Sequence, residues 1–165
     1  MFSSKIIILF MLGLLINYSS CRAQNSDRIE YLVVDSLYFI KPTQSNLILL
    51  VDLDFKSFRN LMKKNDFKLT SAEKGAYIFM LGDFTTLTQV ILKTIGSNKL
   101  TMSFANNLNK QFLFDPLRKE LSEFYLNTQK GFDNFLYEKD GRKVLFSIEK
   151  SDDSVLELVN ITVSN

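Results

Sequence analysis

The chain holds few side chains able to act as acid, base, nucleophile or ligand: it has no histidine, and its one cysteine is Cys21. Triads, zinc fingers and thiol redox pairs each need a His or a second Cys, so those chemistries are excluded. Carboxylates, lysines, tyrosines and hydroxyls remain. They fall at suggestive spacing in Asp52-x-Asp54, Ser71-x-x-Lys74, Ser147-x-x-Lys150, Asp133 with Asp152-Asp153, and Glu120 with Glu123.

Each grouping also has a simpler reading. The run Leu49-Leu50-Val51-Asp52-Leu53-Asp54 is similar to the strand and Asp-x-Asp of haloacid-dehalogenase phosphatases. Phe55-Lys56 stand where that family has Gly-Thr, and the parallel α/β frame is missing, so Asp54 is read as a helix N-cap. Both Ser-x-x-Lys pairs resemble the motif of penicillin-recognising enzymes, but neither opens a helix and the companion motifs are absent; turn or strand-edge residues fit better. Asp133 and Asp152-Asp153 fall short of the six to eight oxygens calcium takes, so a solvated turn is expected and no metal site or cofactor. Glu120 and Glu123, one helical turn apart beside Arg118 and Lys119, read as a solvated face.

The N-terminus carries an address. Lys5 precedes Ile6 to Ile16, apolar apart from Gly13, and polar residues follow from Asn17. That run is too short to span a bilayer yet matches the apolar region of a secretory signal. Residues 1–20 are therefore read as a cleaved export signal and 21–165 as one domain. Ser19-Ser20-Cys21 resembles the end of a bacterial lipoprotein signal, with Tyr18 where an aliphatic residue is usual; the resemblance makes Cys21 a lipidated first residue and membrane anchor. Cutting after Cys21-Arg22-Ala23 instead releases a soluble chain starting at Gln24. Beyond Arg22 the chain carries 18 basic and 18 acidic residues, which gives no support to nucleic-acid binding.

The elements that must position any site are mostly strands. Ile29–Ile40 is expected to form a strand paired with a second one over Leu47–Leu53, broken by Pro42 and its neighbours. Asp54 starts a helix over 55–64 with Phe55, Phe58, Leu61 and Met62 on one face. Strands are expected at Tyr77–Leu81, within Phe84–Ile95, where β-branched residues outweigh helical spacing, and at Leu100–Phe104. Asp115-Pro116 opens a second helix whose apolar face runs to Thr128 and which Lys130-Gly131 closes.

Asp140-Gly141 predicts a two-residue hairpin pairing Lys139 with Arg142, Glu138 with Lys143 and Tyr137 with Val144. One face then carries Phe135, Tyr137, Val144, Phe146 and Ile148, and a third strand follows from Val155 to Val163 after a turn at Ser151–Ser154. Two copies of a helix followed by a β-meander fit the chain, aligned on Phe67…Glu73-Lys74-Gly75 and Phe132…Glu138-Lys139-Asp140-Gly141. The expected fold is α+β, a mainly antiparallel sheet of six to eight strands with two helices on one face.

The function read from this is a non-catalytic exported protein of the cell envelope, a binding or scaffold module. The alternatives are a carrier of an apolar ligand, since a curved sheet can enclose a Phe-lined cavity, and a small hydrolase with two converging carboxylates. Phe112-Leu113-Phe114, following a polar Asn-rich loop, is the candidate partner contact; its other reading is core beneath the following helix.

Overall fold

A computed structural model describes residues 29–106, 113–149 and 156–164. A short hairpin leads, β1 (Tyr31–Val34) with β2 (Leu37–Ile40), followed by helices α1 (Gln44–Asp52) and α2 (Phe55–Lys64). Four strands come next: β3 (Lys68–Glu73), β4 (Ala76–Gly82), β5 (Leu87–Thr94) and β6 (Lys99–Asn106). A short helix α3 (Asp115–Glu120) and a 3-10 turn (Ser122–Phe124) precede β7 (Tyr125–Gln129), β8 (Phe132–Lys139), β9 (Arg142–Glu149) and β10 (Leu156–Ser164). The eight later strands form one antiparallel sheet in the order β3-β4-β5-β6-β10-β9-β8-β7. The α+β class and the antiparallel sheet stand as expected, with three helices among the described residues rather than two.

The expectations for 55–64 and for the Asp140-Gly141 hairpin match residue for residue. Asp54 caps α2, accepting from the Ser57 amide at 3.0 Å and the Ser57 hydroxyl at 2.6 Å, and those bonds hold its carboxyl below the usual aspartate value. Phe58 and Met62 fill the core. Lys139 pairs with Arg142, Glu138 with Lys143 and Tyr137 with Val144, and a 3.0 Å Glu138–Lys143 ion pair lies on the solvent face. The turn at 151–154 lies outside the described residues.

Three elements differ. Residues 29–40 are not one strand: Asp35 and Ser36 both take positive φ (50° and 68°) and fold the segment into the β1–β2 hairpin. Leu47–Leu53 is not its partner strand but most of α1. Thr43 caps that helix, accepting from the Asn46 amide, and Leu47, Leu50 and Val51 recur at helical spacing into the core. A continuous apolar run looks alike in a buried strand and in a helix buried on two sides. The helix expected from Asp115 stops at Glu120. Leu117 and Leu121 are fully buried, but Tyr125–Gln129 pairs with β8 as the sheet's edge strand, and Lys130-Gly131 is a hairpin turn rather than a helix end. Strand pairing, with Tyr125 edge-on to Phe135 at 5.7 Å, outweighs the helical periodicity.

The repeat is present at a shifted alignment. Lys74-Gly75 (φ 49° and 79°) joins β3 to β4, as Lys130-Gly131 (φ 53° and 79°) joins β7 to β8. Both hairpins carry a register shift at the same place, between Leu69 and Ser71 in one and between Tyr125 and Asn127 in the other. Counted from these turns, Phe79 corresponds to Phe135, both buried in the core. Asp140-Gly141 belongs to the second hairpin of its copy, so it is not the counterpart of Lys74-Gly75. The two four-stranded meanders meet edge to edge where β6 pairs with β10.

All three helices and the leading hairpin cover one face of the sheet. Alternation supplies that face with Phe79, Leu81, Leu87, Ile91, Leu100, Met102, Phe104, Phe135, Val144, Phe146, Ile148, Val159 and Ile161, all buried.

Candidate functional site

α1 is apolar on two sides, which defines the site. Leu47, Leu50 and Val51 enter the core, while Ser45, Ile48, Leu49 and Asp52, at positions i, i+3, i+4 and i+7, line a second stripe. Facing that stripe are Tyr137 and Lys139 of β8, Asp140 of the turn, and Arg142 and Val144 of β9. Cross-strand register sets Tyr137 beside Val144 and Lys139 beside Arg142. Between helix and hairpin lies an open cleft of about 530 Å³.

The cleft has two ends of different chemistry. Ile48, Leu49, Tyr137 and Val144 make an apolar floor, and the Tyr137 ring is fixed edge-on by Phe124 at 5.1 Å. Asp52, Arg142, Lys139 and Asp140 make a charged end. There the guanidinium of Arg142 donates to both carboxylate oxygens of Asp52, and the bond from Asp52 holds the guanidinium proton still more firmly. This pair is also the wall of a second cleft of about 290 Å³, bounded by Val51, Asn98 and Val163. Opposite charges balance at that end, so the arrangement suits recognition of a partner with an apolar group and adjoining polar atoms.

The acids that might have served catalysis are engaged elsewhere. Asp52 is bound to Arg142 and Asp54 caps α2. Asp133 accepts from Thr128 at 2.6 Å and faces Arg118 at 3.6 Å. Glu120 accepts from the Gln44 amide at the start of α1. Glu157, buried on β10, accepts from the backbone amides of Leu113 at 2.7 Å and Phe114 at 3.0 Å. Ser147 donates to Asn134 at 2.7 Å, and Ser71 lies on edge strand β3. Among the described residues no three His, Cys, Asp or Glu side chains gather as a metal would need.

Of the residues singled out as sites, Cys21 and Phe112 lie outside the described residues. Phe114 is fully buried, edge-on to Phe104 at 5.7 Å, so its side chain belongs to the core and is not a surface contact. Leu113 is half-buried and lines a separate cleft of about 250 Å³ with Lys41, Pro42 and Pro116.

Sequence reasoning missed Gln89 and Lys93, buried polar residues that fasten the hairpin and α1 to the sheet. Gln89 accepts from the Ile40 amide at 2.9 Å and donates to the Ile40 carbonyl at 2.7 Å. The Lys93 ammonium donates to the carbonyls of Leu50 and Val51 at 2.7 and 2.9 Å, and sits 5.0 Å from the centre of the Phe58 ring. A signal was present: both alternate with Leu87 and Ile91, polar residues on the buried face of a strand. Comparison with protein-family models, curated proteins and solved structures found no match.

Proposed function

We propose that the protein is a non-catalytic exported module of the cell envelope whose partner seats in the cleft between α1 and the β8–β9 hairpin. The observation that carries this is the second apolar stripe of α1. Ile48 and Leu49 are half-buried and line the open cleft, with Ile48 also packed against the edge of the core. The leader and Cys21 support export, with Cys21 as the lipid-anchored first residue.

The test places a photoreactive residue at Leu49 in the full chain in its native host, with Lys63 on the exposed face of α2 as the comparison site. A defined adduct at Leu49 that disappears with Ile48→Glu is expected. Equal adducts at both sites, or none at Leu49, would overturn the cleft as the binding site. Intact mass of the native protein tests export: loss of residues 1–20 is expected, with a diacyl or triacyl mass on Cys21, and a chain still starting at Met1 would overturn it.

A further inference from the structure

The β1–β2 hairpin carries an exposed apolar pair in a setting that suits one kind of surface. Val33 and Tyr38 face each other across the two strands and are 57% and 56% exposed. Tyr31, which packs against the core, lies edge-on to Tyr38 at 6.1 Å. On the side of the hairpin that carries them, Tyr31 packs against the core and Ile40 is buried, so Val33 and Tyr38 are its exposed part toward the turn. Between Glu30 and Lys41, themselves paired at 3.0 Å, the only charged residue is Asp35 at the turn. An apolar pair ending in a phenolic hydroxyl, with little charge around it, is the composition that settles at the boundary between lipid headgroups and acyl chains.

Chain length supplies the second observation. Nine residues separate Cys21 from Tyr31, and the ten steps between them, at about 3.3–3.6 Å each, reach no further than about 33–36 Å. A four-residue strand spans about 13 Å. A chain held by a lipid at Cys21 therefore keeps the hairpin close to the bilayer, and its tip can touch the surface. We infer that the Val33–Tyr38 face rests on the membrane that anchors the protein, fixing the orientation in which the cleft is presented. This rests on the reading of Cys21 as the anchored residue.

The sequence provides its own tools for the test. Cys21 is the only thiol and there is no tryptophan, so the chain from Cys21 to Asn165 can be coupled to maleimide-headgroup lipid in phosphatidylcholine vesicles, with Tyr38→Trp as the sole indole. Blue-shifted emission and quenching by brominated acyl chains are expected for the coupled protein, with no change for the uncoupled protein. Adding Val33→Ser should shrink the shift. Leu126→Trp, an exposed site on the sheet edge remote from the hairpin, should show none. Identical Tyr38→Trp spectra in coupled and free protein, or an equal shift at Leu126→Trp, would overturn the inference. Because the coupling is chemical, this result is independent of whether the native protein is lipidated, which intact mass decides separately.

Discussion

Thr101 on β6 faces Asn160 on β10, its own counterpart in the repeat, and its hydroxyl donates to the Asn160 side-chain oxygen at 2.7 Å. Leu92 faces Thr101 just as Ser147 faces Asn160, so this pair marks the place about which the two meanders are related. The same rows show how the copies have diverged. On the face away from the helices, Ile78 and Leu92 on one side of the pair correspond to Asn134 and Ser147 on the other. On the helix-covered face, Gln89 and Lys93 stand where the second copy has Val144 and Ile148. The first copy buries Gln89 and Lys93, which hold the extra hairpin and α1; the second buries Glu157 on β10, which holds the amides of Leu113 and Phe114 before α3.

Gln89 replaces a missing neighbour strand for Ile40, meeting both its amide and its carbonyl. Gln89→Leu should leave two buried backbone groups without partners and cost about 2–6 kcal/mol, at about 1–3 kcal/mol for each. Urea unfolding followed by circular dichroism measures this. A loss below about 1 kcal/mol would show that the hairpin does not depend on this contact.

How much of this was legible follows from the range of the interactions. The Asp140-Gly141 hairpin and the Asp54 cap are set by residues two or three apart, and both were read correctly. α1 and the end of α3 were misread because their outcome is decided at long range, by the carbonyls of Leu50 and Val51 finding Lys93 and by Tyr125 pairing with Phe135. The cleft could not be seen for the same reason: Ile48 and Leu49 face it only if their segment is a helix. The charged end was hidden because Asp52 and Arg142 are far apart in sequence and look like two ordinary solvated charges.

Lys93 caps the last turn of α1, which has no basic residue of its own. Burial holds its pKa below the ordinary lysine value, against the opposing pull of Asp52 and Asp54. The unfolded chain thus binds this proton more tightly than the folded one, and stability from this site rises as pH climbs from the lowered value toward the ordinary one. Lys93→Met keeps the stem but strips both carbonyls of their donor, with an expected loss of about 2–6 kcal/mol at neutral pH, at about 1–3 kcal/mol for each. Urea midpoints collected into the alkaline range should show the native chain gaining on the variant. Parallel profiles would contradict the assignment.

Glu157 serves α3 from outside, since Phe114 at that helix start makes no side-chain cap of its own. Burial raises its carboxyl pKa; the amides of Leu113 and Phe114 and the nearby Arg118 pull it down, and Asp115 adds to the rise. With the folded value above the unfolded one, the native state binds the proton more tightly, and stability from this group falls as pH rises from the ordinary glutamate range through the raised value. Above that it is level. The stability advantage of the native chain over Glu157→Gln should therefore shrink across this window, measured by thermal unfolding at a series of pH values. A constant difference would show that the carboxyl titrates alike in both states.

Phe114 decides what the segment before α3 does. Its ring is fully buried against Phe104, and its amide is held by Glu157, so both side chain and backbone are fixed by the sheet beneath. Phe114→Ala should cost about 3–5 kcal/mol, the usual range for a large aromatic removed from a packed core. Leu113→Ser, at a half-buried residue on the rim of a separate cleft, should cost clearly less. Chemical unfolding of the two variants side by side checks the order. If Phe114→Ala instead unfolds within about 0.5 kcal/mol of the native chain, as surface substitutions do, the ring is not structural and the segment regains its place as a candidate contact for a partner.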